Sequence, residues 1–284
     1  MPTELRPIDI AEWPAFERVS VAGAAGALSV RVGGSATGPA VLFNHSILTG
    51  SAIWRRQAVS LAERGYRVLC LDTRGHGRSA APQPPYAMDD LVADNIAVLD
   101  ALGVQRAHFI GVSLGGMTGF GLGSRHGDRM LSLCIVAARA DAPAPFAAAW
   151  DERIALAREK GIEPLVKPTA ERWFGPAFLA ARPQTAEALY ACIRETNSEG
   201  FIGCARAIQR LSYLDAAAQI RTPTTLVIGT RDELLLQPTK DLVPVVPGSR
   251  LVTIEGAGHL PQIDRADDFD GMLDQHFRQF EDRA

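Results

Sequence analysis

With 284 residues, 47% of them hydrophobic and 21% charged, the chain is long and apolar enough to bury a large core, which excludes a disordered polypeptide. A formal net charge of −3 supplies neither a basic stripe for phosphate backbones nor a polybasic surface for anionic lipid, so neither nucleic acid nor membrane is an expected partner. Cys70, Cys134, Cys192 and Cys204 lie far apart with no C-x-x-C pair, which predicts buried free thiols rather than a metal or redox site.

The first residues, MPTELRPIDIAEWP, have no basic start leading into an apolar stretch and no small-residue cleavage site. No apolar run approaches the length of a membrane span, and the expectation is a soluble, cytoplasmic protein. Short runs rich in apolar and β-branched residues then follow in order: LSVRV (28–32), AVLFNH (40–45), RVLCLD (67–72), AHFIGV (107–112), LSLCIVAA (131–138), TTLVIGT (224–230) and RLVTIE (250–255). Near-continuous apolarity is what a strand covered on both faces shows. Amphipathic stretches such as IWRRQAVSLAERG (53–65) and MDDLVADNIAVLDALG (88–103) lie between them at helical spacing. The alternation predicts an α/β fold, a mostly parallel sheet flanked by helices.

The alternation stops between about 140 and 215, where helical patterns are separated by Pro164, Pro168, Pro176 and Pro183. This predicts a core of residues 1–138 and 216–284 with a helical cap, 139–215, rising above the strand ends, where open α/β sheets bind ligands. There is no internal repeat and no heptad pattern, which leaves a monomer or a homodimer.

The stretch HFIGVSLGGMTGF (108–120) places Ser113 in a Gly-x-Ser-x-Gly pattern between a strand and a helix. A serine hydroxyl is a poor nucleophile at neutral pH. It needs a base, a group that orients the base, and donors for an oxyanion. Each of the glycines inside the following helix costs about 1 kcal/mol relative to alanine, and close approach of that helix to the sheet is the expected return. The Leu114 amide, at the helix N-terminus, is the first oxyanion donor.

Downstream, Asp232 ends the strand in LVIGTRDELLL and His259 lies in the glycine-rich TIEGAGHLPQID, so strand ends can bring serine, acid and histidine to one rim. Asp141, after LSLCIVAA, is the competing acid. Upstream, VLFNHSILTGSAIW offers the Ile47 amide as second oxyanion donor. His45 and Ser46 in that loop are candidates for substrate contact, with loop stabilisation as the plainer role for His45. Asp72, Arg74 and His76 in LDTRGHGRSA are expected to tie down a tight loop. Trp150, Trp173 and Phe174 are expected to pack the cap, with Trp150 and Trp173 also candidates to line the pocket. Arg139, Arg194, Arg206 and Arg210 are the cations available to a substrate carboxylate, and Arg139 is the one named for substrate contact.

Taken in order, FNHSILTGSAIW, LDTRGHGRS, GVSLGGMTG, LVIGTRD and GAGHLPQID resemble the α/β-hydrolase superfamily across nearly the whole chain. GGMTG after the serine, the loop before Trp54, and the cap phrases ERWFGPAF and EGFIGCARAI are similar to 3-oxoadipate enol-lactonases, which open an enol-lactone in bacterial aromatic catabolism. The resemblance implies Ser113 as nucleophile, Asp232 as acid, His259 as base and Ile47 with Leu114 as amide donors, and it implies no metal and no organic cofactor. Such lactonases often read Asn-Ser-Leu-Gly where this chain has His45-Ser46-Ile47-Leu48. The same scaffold also carries carbon–carbon bond hydrolases, acyl-homoserine lactonases, cofactor-free haloperoxidase-like enzymes, acyltransferases and non-enzymatic ligand receptors.

Overall fold

The computed structural model describes residues 8, 11, 13 and 15–281, so most of the N-terminal stretch read above for a targeting segment lies outside the described residues. The strands are β1 (Phe16–Gly23), β2 (Gly26–Gly34), β3 (Ala40–Asn44), β4 (Arg67–Leu71), β5 (Ala107–Val112), β6 (Met130–Val136), β7 (Thr224–Gly229) and β8 (Arg250–Ile254). They form one eight-stranded sheet in the order β1-β2-β4-β3-β5-β6-β7-β8. From β4 onward every pairing is parallel, whereas β1 on β2 and β2 on β4 are antiparallel. Strands β3, β5 and β7 are buried at every position, as the continuous apolar runs predicted.

The helices of the core are α1 (Arg55–Glu63), α2 (Met88–Ala101) and α3 (Leu114–Arg125). After β6 come α4 (Ala144–Lys160), α5 (Glu163–Phe174), α6 (Pro176–Ala181), α7 (Pro183–Arg194), α8 (Ser198–Gln209) and α9 (Leu214–Ala217), and after β7 come α10 (Leu236–Asp241), α11 (Pro261–Asp264) and α12 (Ala266–Glu281). Successive residues of a strand face opposite sides of the sheet. On β5, the His108 ring meets Phe277 of α12 at 5.1 Å, while Phe109 lies against Gly119 of α3. Helices α3 and α12 therefore cover opposite faces, and α1 joins α12 through Arg56, whose Nε donates to Asp270 at 2.8 Å.

Between β6 and β7 the chain is helical apart from a single bridge, Asp141 to Ser212, beside which the Tyr213 amide donates to the Ala140 carbonyl at 2.7 Å. The segment thus leaves and re-enters the sheet side by side. All four cysteines are free and buried. Among the described residues no helix is long and apolar enough to cross a membrane.

Candidate active site

Ser113 sits between β5 and α3 with φ +57° and ψ −114°, a conformation side-chain-bearing residues rarely adopt. Strain of this kind costs about 1–3 kcal/mol and persists only where the surroundings over-determine it. Here the Ser113 amide donates to Val136 of β6 at 2.8 Å, its carbonyl accepts from Met117 at 2.8 Å, and the Gly115 amide donates to the His45 carbonyl at 3.1 Å. The turn also requires glycine on both sides. A Cβ on Gly111 would lie 2.4 Å from the Gly115 oxygen, and one on Gly115 would lie 2.5 Å from the Asn44 oxygen. The close approach expected of the glycine-rich helix is therefore present, and it presses backbone on backbone.

Neither the Leu114 amide, at the first position of α3, nor the Ile47 amide has a hydrogen-bond partner among the described residues. The loop carrying Ile47 is held by two histidines. His45 Nε2 accepts from the Thr73 amide at 2.9 Å, which leaves Nδ1 protonated and donating to the Ser46 carbonyl at 2.8 Å. His76 Nε2 accepts from the amide of Leu48 at 3.1 Å, and Leu48 itself has φ +62°. Both rings are closed to solvent. Burial lowers the pKa of each, that of His76 to about 3 with help from the neighbouring His45, so both act as neutral acceptors. Both ring nitrogens of His45 are thus bonded within the protein, which is the plainer, loop-bracing role read from the sequence. Asp72 completes the brace, accepting from the Ser51 amide at 2.7 Å and the Arg78 amide at 3.2 Å.

Asp232 follows β7 and His259 follows β8, and the two loops are sewn together by the Arg231 amide on the Ala257 carbonyl at 2.9 Å. His259 Nδ1 donates to Asp232 Oδ2 at 2.7 Å, while Oδ1 of the same carboxylate accepts from the Leu235 amide at 3.3 Å. The competing acid, Asp141, instead binds Arg139 at 2.9 Å. The histidine loop is shaped from behind by Asp264, whose Oδ2 accepts from the Gly258 amide at 2.7 Å. Ser113, Asp232 and His259 are 6%, 7% and 8% exposed, so the site is nearly closed.

The cap contributes to that closure directly. Trp173 stacks on His259 at 5.8 Å between ring centroids and 27° between planes, and its carbonyl accepts from the His259 amide at 3.0 Å. The contact of Trp173 with the histidine depends on tertiary placement, which the sequence does not carry. Trp150 lies deeper in the cap against Phe146 and Phe201, 6.3 and 6.4 Å away. Ser46 Oγ is buried without a partner, and Arg139 is engaged by Asp141 and by the Phe146 ring, 4.5 Å from its guanidinium carbon. An open cleft of about 1160 Å³, lined by Arg56, Arg182, Gln184 and Asp267 among others, includes none of Ser113, Asp232 and His259.

A serine–histidine contact elsewhere, Ser132 Oγ to His276 Nε2 at 2.8 Å, has none of these attributes. Both residues are fully buried, Ser132 lies within β6, the other ring nitrogen meets the Thr225 hydroxyl at 2.9 Å, and burial pushes His276 down to about 3. It is a buried polar tie between sheet and α12. Among the described residues no group of three or more His, Cys, Asp or Glu side chains is placed to hold a metal ion.

Residues 39–266 match the model of the alpha/beta hydrolase fold family. The chain is 31% identical over 255 residues to 3-oxoadipate enol-lactonase 2 of Acinetobacter baylyi, covering 89% of this chain and 94% of that protein. It is 33% identical to a putative carbamate hydrolase RutD of Variovorax paradoxus over 74% of this chain and 79% of that one. The crystal structure of the enol-lactonase from Burkholderia xenovorans superposes with a TM-score of 0.86 at 30% identity, covering 90% of this chain and 98% of that one. A strained serine between β5 and α3, the acid and histidine on the following strand ends, and a family match across the whole sheet from β3 onward converge: the chain belongs to the alpha/beta hydrolase fold family and is a hydrolase.

Proposed function

We propose that the protein hydrolyses a small carboxylic ester or lactone through an acyl-enzyme, and that its substrate is an enol-lactone of the kind named for its relatives in Acinetobacter and Burkholderia. The observation that carries this reading is the 2.7 Å contact of Asp232 with His259 Nδ1 on the rim where the strained Ser113 turn also emerges. With Nδ1 committed to Asp232, Nε2 is the basic nitrogen. Ser113 Oγ attacks the acyl carbon as Nε2 takes its proton, and Asp232 stabilises the imidazolium. The unpartnered amides of Ile47 and Leu114 receive the oxyanion, each donor of this type contributing about 10²–10³-fold to the rate. His259 then protonates the leaving oxygen, which in a lactone stays tethered to the acyl chain. Water activated by His259 attacks the ester, releasing the acid and restoring Ser113.

The test has two parts. A fluorophosphonate probe is expected to label the wild type and not Ser113→Ala; a wild type that resists labelling removes the nucleophile. Enol-lactone opening, followed by loss of its absorbance, is expected to match or exceed hydrolysis of simple aryl esters. A preference for aryl esters by orders of magnitude, or for a carbamate or a vinylogous diketone, sinks the lactonase assignment and leaves the hydrolase standing.

A further inference from the structure

His259 is held at its backbone as well as at its ring. Two consecutive amides anchor it: that of Gly258 donates to Asp264 Oδ2 at 2.7 Å, and that of His259 donates to the Trp173 carbonyl at 3.0 Å. The first acceptor belongs to the core and the second to the cap. Gly258 is pinched between them, since a Cβ there would lie 2.1 Å from the Trp173 oxygen and 3.2 Å from Asp264 Oδ2. Asp264 ends α11, the short helix after the histidine, and its own amide returns to the Leu260 carbonyl at 3.3 Å. Residues 258–264 therefore form a ring that carries His259 and is closed by the Asp264 side chain.

A carboxylate is a costly group to use in this way. The Asp264 side chain is 2% exposed, its Oδ1 is buried without a hydrogen-bond partner among the described residues, and Arg231 Nη2, 4.0 Å from Oδ2, donates instead to the Phe174 carbonyl. Burial pushes the carboxyl up, and the Gly258 amide, Arg231 and Arg265 draw it back part of the way. Incompletely bonded buried groups of this kind concentrate at functional sites, where a fixed geometry outweighs the stability lost. Arg231 also precedes Asp232, and its amide joins the acid loop to the histidine loop at Ala257, 2.9 Å away. Both partners of the Asp232–His259 contact are thus tied to the backbone beside Asp264. Resting on the reading of Ser113, Asp232 and His259 given above, we propose that Asp264 is a positioning residue for the reaction: through the Gly258 amide it sets where the His259 imidazole stands between Asp232 and Ser113. A displacement of about 1 Å at such a group costs on the order of 10²-fold in rate.

The experiment compares two substitutions of nearly equal volume. Asp264→Leu leaves the Gly258 amide without an acceptor, and Asp264→Asn keeps one in its side-chain carbonyl. With the ester or lactone that the wild type turns over best, Asp264→Leu is expected to lower kcat by on the order of 10–10²-fold with KM within a few-fold, and to slow fluorophosphonate labelling of Ser113 to a similar degree. Asp264→Asn is expected to recover most of both losses. The downfield proton resonance of His259 Nδ1–H bonded to Asp232, read without substrate, is expected to persist in Asp264→Asn and to shift or broaden in Asp264→Leu. Urea midpoints establish that the compared proteins are folded. If Asp264→Leu does not fold, Asp264→Glu, which moves the acceptor by one methylene, takes its place with the same expected losses. A folded Asp264→Leu or Asp264→Glu protein with the resonance and labelling rate of the wild type overturns the proposal, and so do equal losses in Asp264→Asn. A wild type that the fluorophosphonate does not label removes the reading of Ser113 instead, and the resonance then decides by itself whether Asp264 positions His259.

Discussion

The polar residues around Ser113 divide by what their hydrogen bonds leave free. His259 has one nitrogen fixed by Asp232, whereas His45 and His76 have both nitrogens engaged in tying the 45–49 loop to the 73–76 loop and in holding the 73–76 loop itself. That division has a consequence for stability. His76 is held neutral in the fold, with its pKa pushed down by burial to about 3 from an ordinary value of 6.5. A lowered histidine pKa means that the unfolded chain binds the proton first as pH falls. The stabilising contribution is therefore complete above pH 6.5 and is lost progressively from there toward pH 3, at up to about 1.4 kcal/mol per pH unit. His45, lowered in the same direction, adds to the slope. Replacing His76 by Gln keeps an acceptor for the Leu48 amide and removes the titration. Urea unfolding at pH 7, 6 and 5 is expected to show a shallower acid loss for His76→Gln than for the wild type; parallel curves would mean that His76 is not held neutral.

At the scale of elements, the contact that matters most is α3 against the sheet. Gly115 and Gly119 both lie on its inner face, but their neighbours differ: a Cβ at 115 meets Asn44 backbone at 2.5 Å, whereas one at 119 meets the Phe109 ring edge at 2.8 Å. Backbone cannot yield as a ring can. Gly115→Ala is expected to cost at least about 1–3 kcal/mol and to disturb the 45–49 loop through the Gly115–His45 bond. Gly119→Ala is expected to lose less, because the higher helix propensity of alanine returns about 1 kcal/mol. Denaturation midpoints and ester turnover of the two variants check this, and equal losses would contradict the backbone argument. The glycines of this helix were legible in the sequence, as were the central strands, because a strand covered on both faces writes a continuous apolar run. The edge strand β1 writes none: in FERVSVAG only Phe16 and Val21 are buried, so it passed unread and with it the antiparallel start of the sheet. The proposed set of Ser113, Asp232 and His259 was read from chain order and strand ends, and of its contacts the structure shows that of Asp232 with His259. The stacking of Trp173 on His259 could not be read, since it depends on how the helical segment folds back over the strand ends.

At the scale of the molecule, the cap is fastened to the core along two seams. At the first, Trp173 covers His259, its carbonyl accepts from the His259 amide, and Arg231 Nη2 donates to the Phe174 carbonyl at 2.9 Å. At the second, the Asn197 amide donates to Gly75 at 3.1 Å, and Gly200 packs so closely on Gly75 that a Cβ on Gly200 would lie 2.2 Å from the Gly75 Cα. Gly75 has φ +76° and immediately precedes His76, so the second seam rests on the loop that braces residues 45–49. A methyl group at position 200 has no side chain to displace, only backbone, and the seam has to part. Gly200→Ala is therefore expected to lower stability by about 1–3 kcal/mol and to speed hydrogen exchange in the cap helices α4–α8. Ester turnover is expected to fall, because the shift reaches the Leu48 amide through His76. Labelling of Ser113 by a small fluorophosphonate is expected to persist, since the contact of His259 with Asp232 belongs to the core. Unchanged cap exchange together with unchanged turnover would show that the Gly75–Gly200 contact fastens nothing, and loss of labelling along with turnover would show that the cap and the Ser113 machinery are one cooperative unit rather than a lid on a finished site.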